Sequence, residues 1–226
     1  MTSTAADKPP RRTQEQRSTE MRVRLLDATI DCLVEYGYAG TTTPRVAERA
    51  GVTRGAQVHH FGSKHDLVVA AIKHLAERRV AAAMSEMTQV RVGDDPVGAA
   101  LEFLWDLHQG PLFIATVELW VAGRTDPVLA AAMEEVEPLV NAAVLRAVAE
   151  VIPDDLRRKG ARDFAYTAMD ALRGILVANF VVPDPERAHR RWRRAMVDLR
   201  AAAAAVIAAG SADPGARGEV PSTGTG

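Results

Sequence analysis

The sequence has almost no means of cross-linking itself or of holding a metal: it contains one cysteine, Cys32, and neither a CxxC nor an HExxH spacing. An internal disulfide is therefore excluded, and inside a helix Cys32 reads as a small buried apolar residue rather than a reactive thiol. Long hydrophobic runs are missing too. No stretch of about 18 uncharged apolar residues occurs, so no transmembrane helix is read. The opening MTSTAADKPPRRTQEQRSTEM lacks the apolar centre of a secretory signal, and a cytoplasmic protein is expected. Alternating apolar and polar runs, the mark of half-buried strands, are scarce. An excess of one charge is absent as well, the formal net charge being −1.

That near-neutral sum hides an asymmetry. Residues 1–64 carry 10 Lys and Arg against 7 Asp and Glu, or +3, which leaves 18 against 22, or −4, for residues 65–226. A basic head on an acidic body suits a protein that presents one end to phosphates. Alanine, leucine, arginine and glutamate dominate, so helix is the expectation for most of the length and the fold class is all-α. Residues 1–17 read as a flexible basic arm whose Arg11, Arg12 and Arg17 could enter a minor groove or simply stay solvated. Residues 210–226 read as a Gly, Pro, Ser and Thr tail.

Between these ends the punctuation marks out nine helices. In the first, Val23, Leu26, Ile30, Leu33 and Val34 share a face, and Gly37 supplies a stop. Thr43 and Pro44 open a short helix to Ala50, Gly51 permits a sharp turn, and Thr53 caps a second short helix from Arg54 to about His60. A long helix then runs from Lys64 toward Ser85, and later ones span about 97–109, 112–122, 126–151, 164–182 and 185–209.

Two short helices joined by Ala50, Gly51 and Val52 form a helix-turn-helix, whose second member fits the DNA major groove. The segment TRGAQVHHF is poor in large apolar residues and rich in hydrogen-bonding ones. Arg54 can contact guanine with both donors and Gln57 can contact adenine, while Thr53, His59 and His60 can reach phosphates or thymine methyls. For the two histidines, packing at the helix end is the competing role. Phe61 and Val46 read as core, and Gly51 and Gly55 as positions set by backbone geometry and close approach.

The stretch AERAGVTRGAQVHHFGSKHDLV closely resembles the signature of the tetracycline-repressor (TetR) family, with its AGV turn, Gly55, the His60–Phe61 pair and Lys64; the match runs over about residues 22–70. The resemblance implies a helix-turn-helix domain at 18–64, a ligand-binding and dimerisation domain at 65–209, and phosphate contacts from Thr42, Thr43 and Lys64. It also implies that binding of an inducer in the body shifts the helix starting at Lys64 and changes the separation of two reading heads. Where that family usually carries a Leu-Tyr pair this chain has Gln57 and Val58, so the tyrosine's phosphate contact is missing.

A head this small gains affinity by binding two half-sites as a symmetric pair, which requires a homodimer and a double-stranded DNA operator as partners. Leu172, Ile175, Leu176 and Phe180, with Trp192, Met196 and Leu199, are the candidate dimer interface; completing the monomer core is the competing role. Phe103, Trp105, His108, Phe113, Glu118, Trp120 and Met133 combine apolar walls with a few polar groups, as a small-molecule effector pocket does, although aromatics at helical spacing are also plain core. Asp106, His108 and Glu118 carry groups capable of acid–base chemistry, but no nucleophile motif or phosphate loop accompanies them, so no enzyme, cofactor or metal site is read. The expected function is a ligand-released, DNA-binding transcriptional regulator. A helical DNA-binding protein without a ligand is the alternative.

Overall fold

The computed structural model describes residues 13–88, 90, 93–152 and 160–211, and among these residues it contains nine α-helices and no strand. Helix α1 spans Gln14–Gly40, α2 Thr43–Ala50, α3 Arg54–His60, α4 Lys64–Met87, α5 Pro96–Leu107, α6 Pro111–Gly123, α7 Pro127–Val151, α8 Ala161–Val177 and α9 Pro185–Ser211. None is long and apolar enough to cross a membrane.

Helix α1 starts earlier than its punctuation suggests, because Thr13 and Gln16 form a capping box that satisfies two otherwise orphaned N–H groups. Residues 13–17, expected in a flexible arm, thus initiate the helix; the rest of that arm lies outside the described residues, as does the expected tail beyond Ser211. Three later helices open on the dipeptide Asp-Pro, at Asp95, Asp126 and Asp184. In each the carboxylate accepts a backbone N–H of the first turn, from Gly98 at 2.7 Å, Leu129 at 3.1 Å and Arg187 at 2.9 Å. Proline gives up no helical bond at that position, and the negative charge suits the helix N-terminus.

The contacts divide the chain into two compact units: residues up to Leu75 with Pro111–Val136, and Ala76–Gly110 with residues from Glu137 onward. The sequence-based boundary at 64/65 is thereby redrawn, since the first part of α4 and all of α6 pack with the head. In the first unit α1 lies against α2 and α6, and Leu25, Leu26, Ala28, Cys32, Val46, Phe61, Leu67 and Ala71 form a continuous core. Gly37 breaks α1 with φ +66, a backbone conformation that favours glycine, and the Glu118 carboxylate of α6 lies beside it.

In the second unit α5, α8 and α9 pack together. This packing corrects most of the expected dimer interface. Leu172, Leu176, Trp192, Met196 and Leu199 are no more than 8% exposed within a single chain, so they fill its own interior. Ile175 is half-buried and Phe180 is exposed; of the seven residues, these two retain surface toward a partner. Helix α8 also ends at Val177, leaving Ala178–Val182 as a turn rather than the helical end the apolar run suggested.

Candidate nucleic-acid interface

Helix α2 is started by Thr42, whose hydroxyl accepts the Arg45 N–H at 3.5 Å, and is stopped by Gly51 in the left-handed region at φ 64, ψ 37. The Gly51 N–H bonds the Ala47 and Glu48 carbonyls and the Val52 N–H returns to Ala47 at 3.0 Å, which reverses the chain in two residues. Thr53 then caps α3 by accepting the Ala56 N–H at 3.2 Å. Helix α3 is anchored at its far end by buried Phe61 and along one side by Gln57, leaving Thr53, Arg54, Gly55, Val58 and His59 exposed on the other.

Gln57 is a correction. Expected to read a base, it is 1% exposed, and its Nε2 donates to the Phe61 carbonyl at 2.9 Å. The amide serves the C-terminal end of α3, where a carbonyl would otherwise lack a donor. Gly55 differs from expectation in another way. It is helical with no positive φ, and a Cβ there would meet nothing nearer than the Thr53 hydroxyl at 3.9 Å. The fold does not require glycine at this position, and the open space lies on the exposed side of the helix.

His59 is exposed, whereas His60 is half-buried with its ring edge-on to that of His59 at 5.6 Å. Burial, with His59 and Arg22 beside it, pushes the His60 imidazole below its ordinary value, so at neutral pH it offers a neutral ring rather than a cation. Thr42 is exposed and Thr43 half-buried at the start of α2.

Lys64 faces inward. Its ammonium donates to the Tyr38 carbonyl at 2.7 Å and lies 4.1 Å from the centre of the Tyr38 ring, and burial lowers its pKa. Tyr38 is itself tied down: its N–H donates to Glu118 at 3.3 Å and its hydroxyl to Asp126 at 3.5 Å, and Asp126 stands 3.7 Å from His65. A side chain expected on a phosphate is thus seated among residues of α1, α6 and the α6–α7 turn.

Arg45 was not anticipated. It is exposed in the first turn of α2, where a cation opposes the helix dipole. Its guanidinium is fixed by a 2.6 Å bond to the Gly40 carbonyl and by stacking 4.4 Å over the Tyr36 ring, against which Arg49, paired with Glu35, also lies. Its sequence signal was a basic residue placed against the helix dipole, two positions from the Thr43 hydroxyl. Cys32 is fully buried and its thiol pKa is raised by burial, as suits a packing residue.

The seven expected pocket residues fall in both units. Phe103, Trp105 and His108 belong to the second, where Phe103 and His108 are buried and Trp105 stacks on His189 at 4.7 Å. Phe113, Glu118, Trp120 and Met133 belong to the first, where Trp120 meets Phe113 edge-on at 6.3 Å. The Glu118 carboxylate accepts the Tyr38 N–H at 3.3 Å and lies beside Gly37.

Known proteins share this architecture. A family model described as bacterial regulatory proteins, tetR family, matches residues 25–71. Among curated proteins the chain is 30% identical over 188 residues to the transcriptional regulator CymR of Pseudomonas putida, covering 80% of this chain and 90% of that one. It is 31% identical over 144 residues to the transcriptional repressor AcnR of Corynebacterium glutamicum, covering 64% and 68%. Among solved structures, a transcriptional regulator from Rhodococcus sp. Rha1 aligns with TM-score 0.62 at 22% identity, covering 80% of this chain and 96% of that one. The multidrug binding protein EbrR complexed with ethidium aligns at 0.54 and 22%, covering 80% and 98%.

Proposed function

This chain belongs to the TetR family of bacterial helix-turn-helix transcriptional regulators, and from that premise we propose that it binds a palindromic operator as a homodimer and leaves it when a small molecule occupies its helical body. The observation that carries the reading is the exposed face of α3, presented by a core-anchored head with polar and small residues outward. Arg54 is the residue for guanine, Thr53 and His59 flank it, and Val58, 51% exposed, is a candidate for a thymine methyl. Thr42, Thr43 and Arg45 at the start of α2 face the phosphates, and Lys64 joins them once its ammonium leaves Tyr38.

Dimerisation is assigned to the outer faces of α8 and α9. A groove of about 480 Å³ there is lined by Ala171, Gly174, Ile175 and Ala195 with Asp170, Asp198, Arg191 and Arg194. Both charges in one patch make it self-complementary about a two-fold axis. Val177 and Val197 on these two helices and Phe180, Val181 and Val182 in the turn between them are exposed, a concentration of apolar surface that monomers rarely leave uncovered. Release by a ligand is the reading that AcnR, by name a repressor, and EbrR, by name a multidrug binder, support by analogy. A protein acting on DNA works in the cytoplasm.

The test is DNA binding followed by fluorescence anisotropy across a salt series. Arg54→Ala should lose about 1–3 kcal/mol on the preferred site and little on random DNA, whereas Lys64→Ala should weaken both and flatten the salt slope. Equal losses on both DNAs for Arg54→Ala would remove α3 as the reader of sequence.

A further inference from the structure

We propose that Tyr36 and Gly40, at the end of α1, are positioning residues for operator binding: together they seat the Arg45 guanidinium for a backbone phosphate. The proposal rests on the reading of the head as the part that binds DNA. In a helix-turn-helix the second helix enters the groove and the first crosses the sugar–phosphate backbone; here the first is α2, with Arg45 in its opening turn. Helix α1 breaks at Gly37, directly after Tyr36, and the Thr41 N–H returns to the Gly37 carbonyl at 3.1 Å. That reversal sets the opening turn of α2 beside Tyr36.

Neutral groups hold the guanidinium. Its Nη1 donates to the Gly40 carbonyl at 2.6 Å, and its central carbon stands 4.4 Å from the centre of the Tyr36 ring. Neither contact cancels its charge, and the helix dipole at this end opposes it. Arg49 lies over the same ring at 5.9 Å, but it pairs with Glu35 and stands 4.0 Å from Asp31. Of the two arginines on Tyr36, one is therefore neutralised by carboxylates of α1, and the other keeps its charge and its remaining N–H donors for an anion. An arginine that is already seated loses less rotamer freedom on meeting a phosphate than one that swings free.

Gly40 is an independent sign that the seat is built. Its φ is not positive, so backbone strain does not call for glycine there. Space does: a Cβ at position 40 would stand 2.8 Å from the Tyr36 Cβ and 3.3 Å from the Arg45 Nη1. The Tyr36 Cβ is the fixed root of its side chain and cannot swing aside, so a larger residue at 40 would displace the ring, the guanidinium or both. A groove of about 310 Å³ opens beside the seat, lined by Tyr36, Arg45, Glu48 and Arg49. It gives a phosphate oxygen access to the Arg45 guanidinium; Glu48, the carboxylate in that lining, is exposed and screened by water. A planar guanidinium stacks on an aromatic face in a way that a compact ammonium does not, so the seat selects arginine.

The experiment uses the full chain, a duplex that it selects from a random pool and a scrambled duplex of the same length, with fluorescence anisotropy at about 50 to 200 mM salt. Arg45→Ala should weaken binding to both duplexes by a similar factor and lower the salt slope by about one. Tyr36→Leu should weaken both about two- to fivefold, the weight of an exposed cation–π contact, while Tyr36→Phe, which keeps the ring, should bind as the wild type does. Placed in the Arg45→Ala background, Tyr36→Leu should add no further loss, because the two residues act as one unit. A merely structural Tyr36 would weaken binding whether Arg45 were present or not. Should Tyr36→Leu fail to fold, Arg45→Lys, which keeps the charge and gives up the planar stack, is expected to show the same two- to fivefold loss. Tyr36→Leu binding equal to wild type, or losses that add in the double variant, overturns the positioning role. Unchanged binding of Arg45→Ala overturns the phosphate contact and leaves the reading of the head standing, whereas a pool from which the wild type retains no duplex overturns that reading as well.

Discussion

Gln57 separates a base reader from a structural residue more sharply than any other position in α3. Its amide is 1% exposed and donates to the Phe61 carbonyl at 2.9 Å. In Gln57→Ala the bond's own contribution of about 1 kcal/mol is lost, and any part of the carbonyl left dry costs about 1–3 kcal/mol more. The buried methylene lost beside it adds about 0.8 kcal/mol. Alanine's better helix propensity returns a few tenths, so a destabilisation of about 2 kcal/mol is expected. Gln57→Met, which keeps the volume and removes the donor, should lose only the hydrogen-bond part. Urea unfolding followed by circular dichroism measures these losses, and binding to a set of singly substituted half-sites measures base preference. Operator affinity should fall evenly across that set, because a loosened α3 affects every contact. Stability unchanged within about 0.5 kcal/mol, together with relaxed preference at one base pair, would refute the reasoning and return Gln57 to the groove.

Gly55→Ala should raise stability by up to about 1 kcal/mol through helix propensity, because its Cβ finds open space, and should weaken operator binding by crowding the DNA; unchanged DNA affinity would show that the space is unused. Ile175→Asp should yield folded monomers in sedimentation velocity, whereas Leu172→Asp, at 0% exposure, should not fold; a dimeric Ile175→Asp would move the interface off α8. His108, held at about 3 in the folded chain, is protonated near pH 6.5 in the unfolded one. The unfolded state therefore binds the extra proton as pH falls below that value. Stability should drop by about 2 kcal/mol between pH 7 and pH 5, and His108→Gln should show a flatter dependence in the same window; identical slopes would exclude His108 as the cause.

The elements that were legible in the sequence are those whose signals are local. The capping hydroxyl of Thr53 and the left-handed Gly51 act within four residues, so the sequence locates the turn and the start of α3, whereas at α2 the cap is Thr42 and the expected cap, Thr43, is the first residue of the helix. The orientation of a side chain on a seven-residue helix is not local. Gln57 and Arg54 are three positions apart and chemically alike as base readers, and only the packing of Phe61 decides that Gln57 turns inward. The same reason underlies the dimer face. Apolar residues on more than one stripe of α8 announced a second surface, yet which stripe faced Trp192 and which faced outward depended on the crossing with α9. Arg45 was overlooked because its role comes from Tyr36 and Gly40, both on a different helix.

Selection of bound sequences from a random DNA pool by the full chain tests the central claim most directly. The account predicts one enriched motif with two-fold symmetry, its half-sites about 10 base pairs or a multiple of one helical turn apart, occupied by two chains. Enrichment of no motif, or of a single unsymmetrical one bound by one chain, would contradict it.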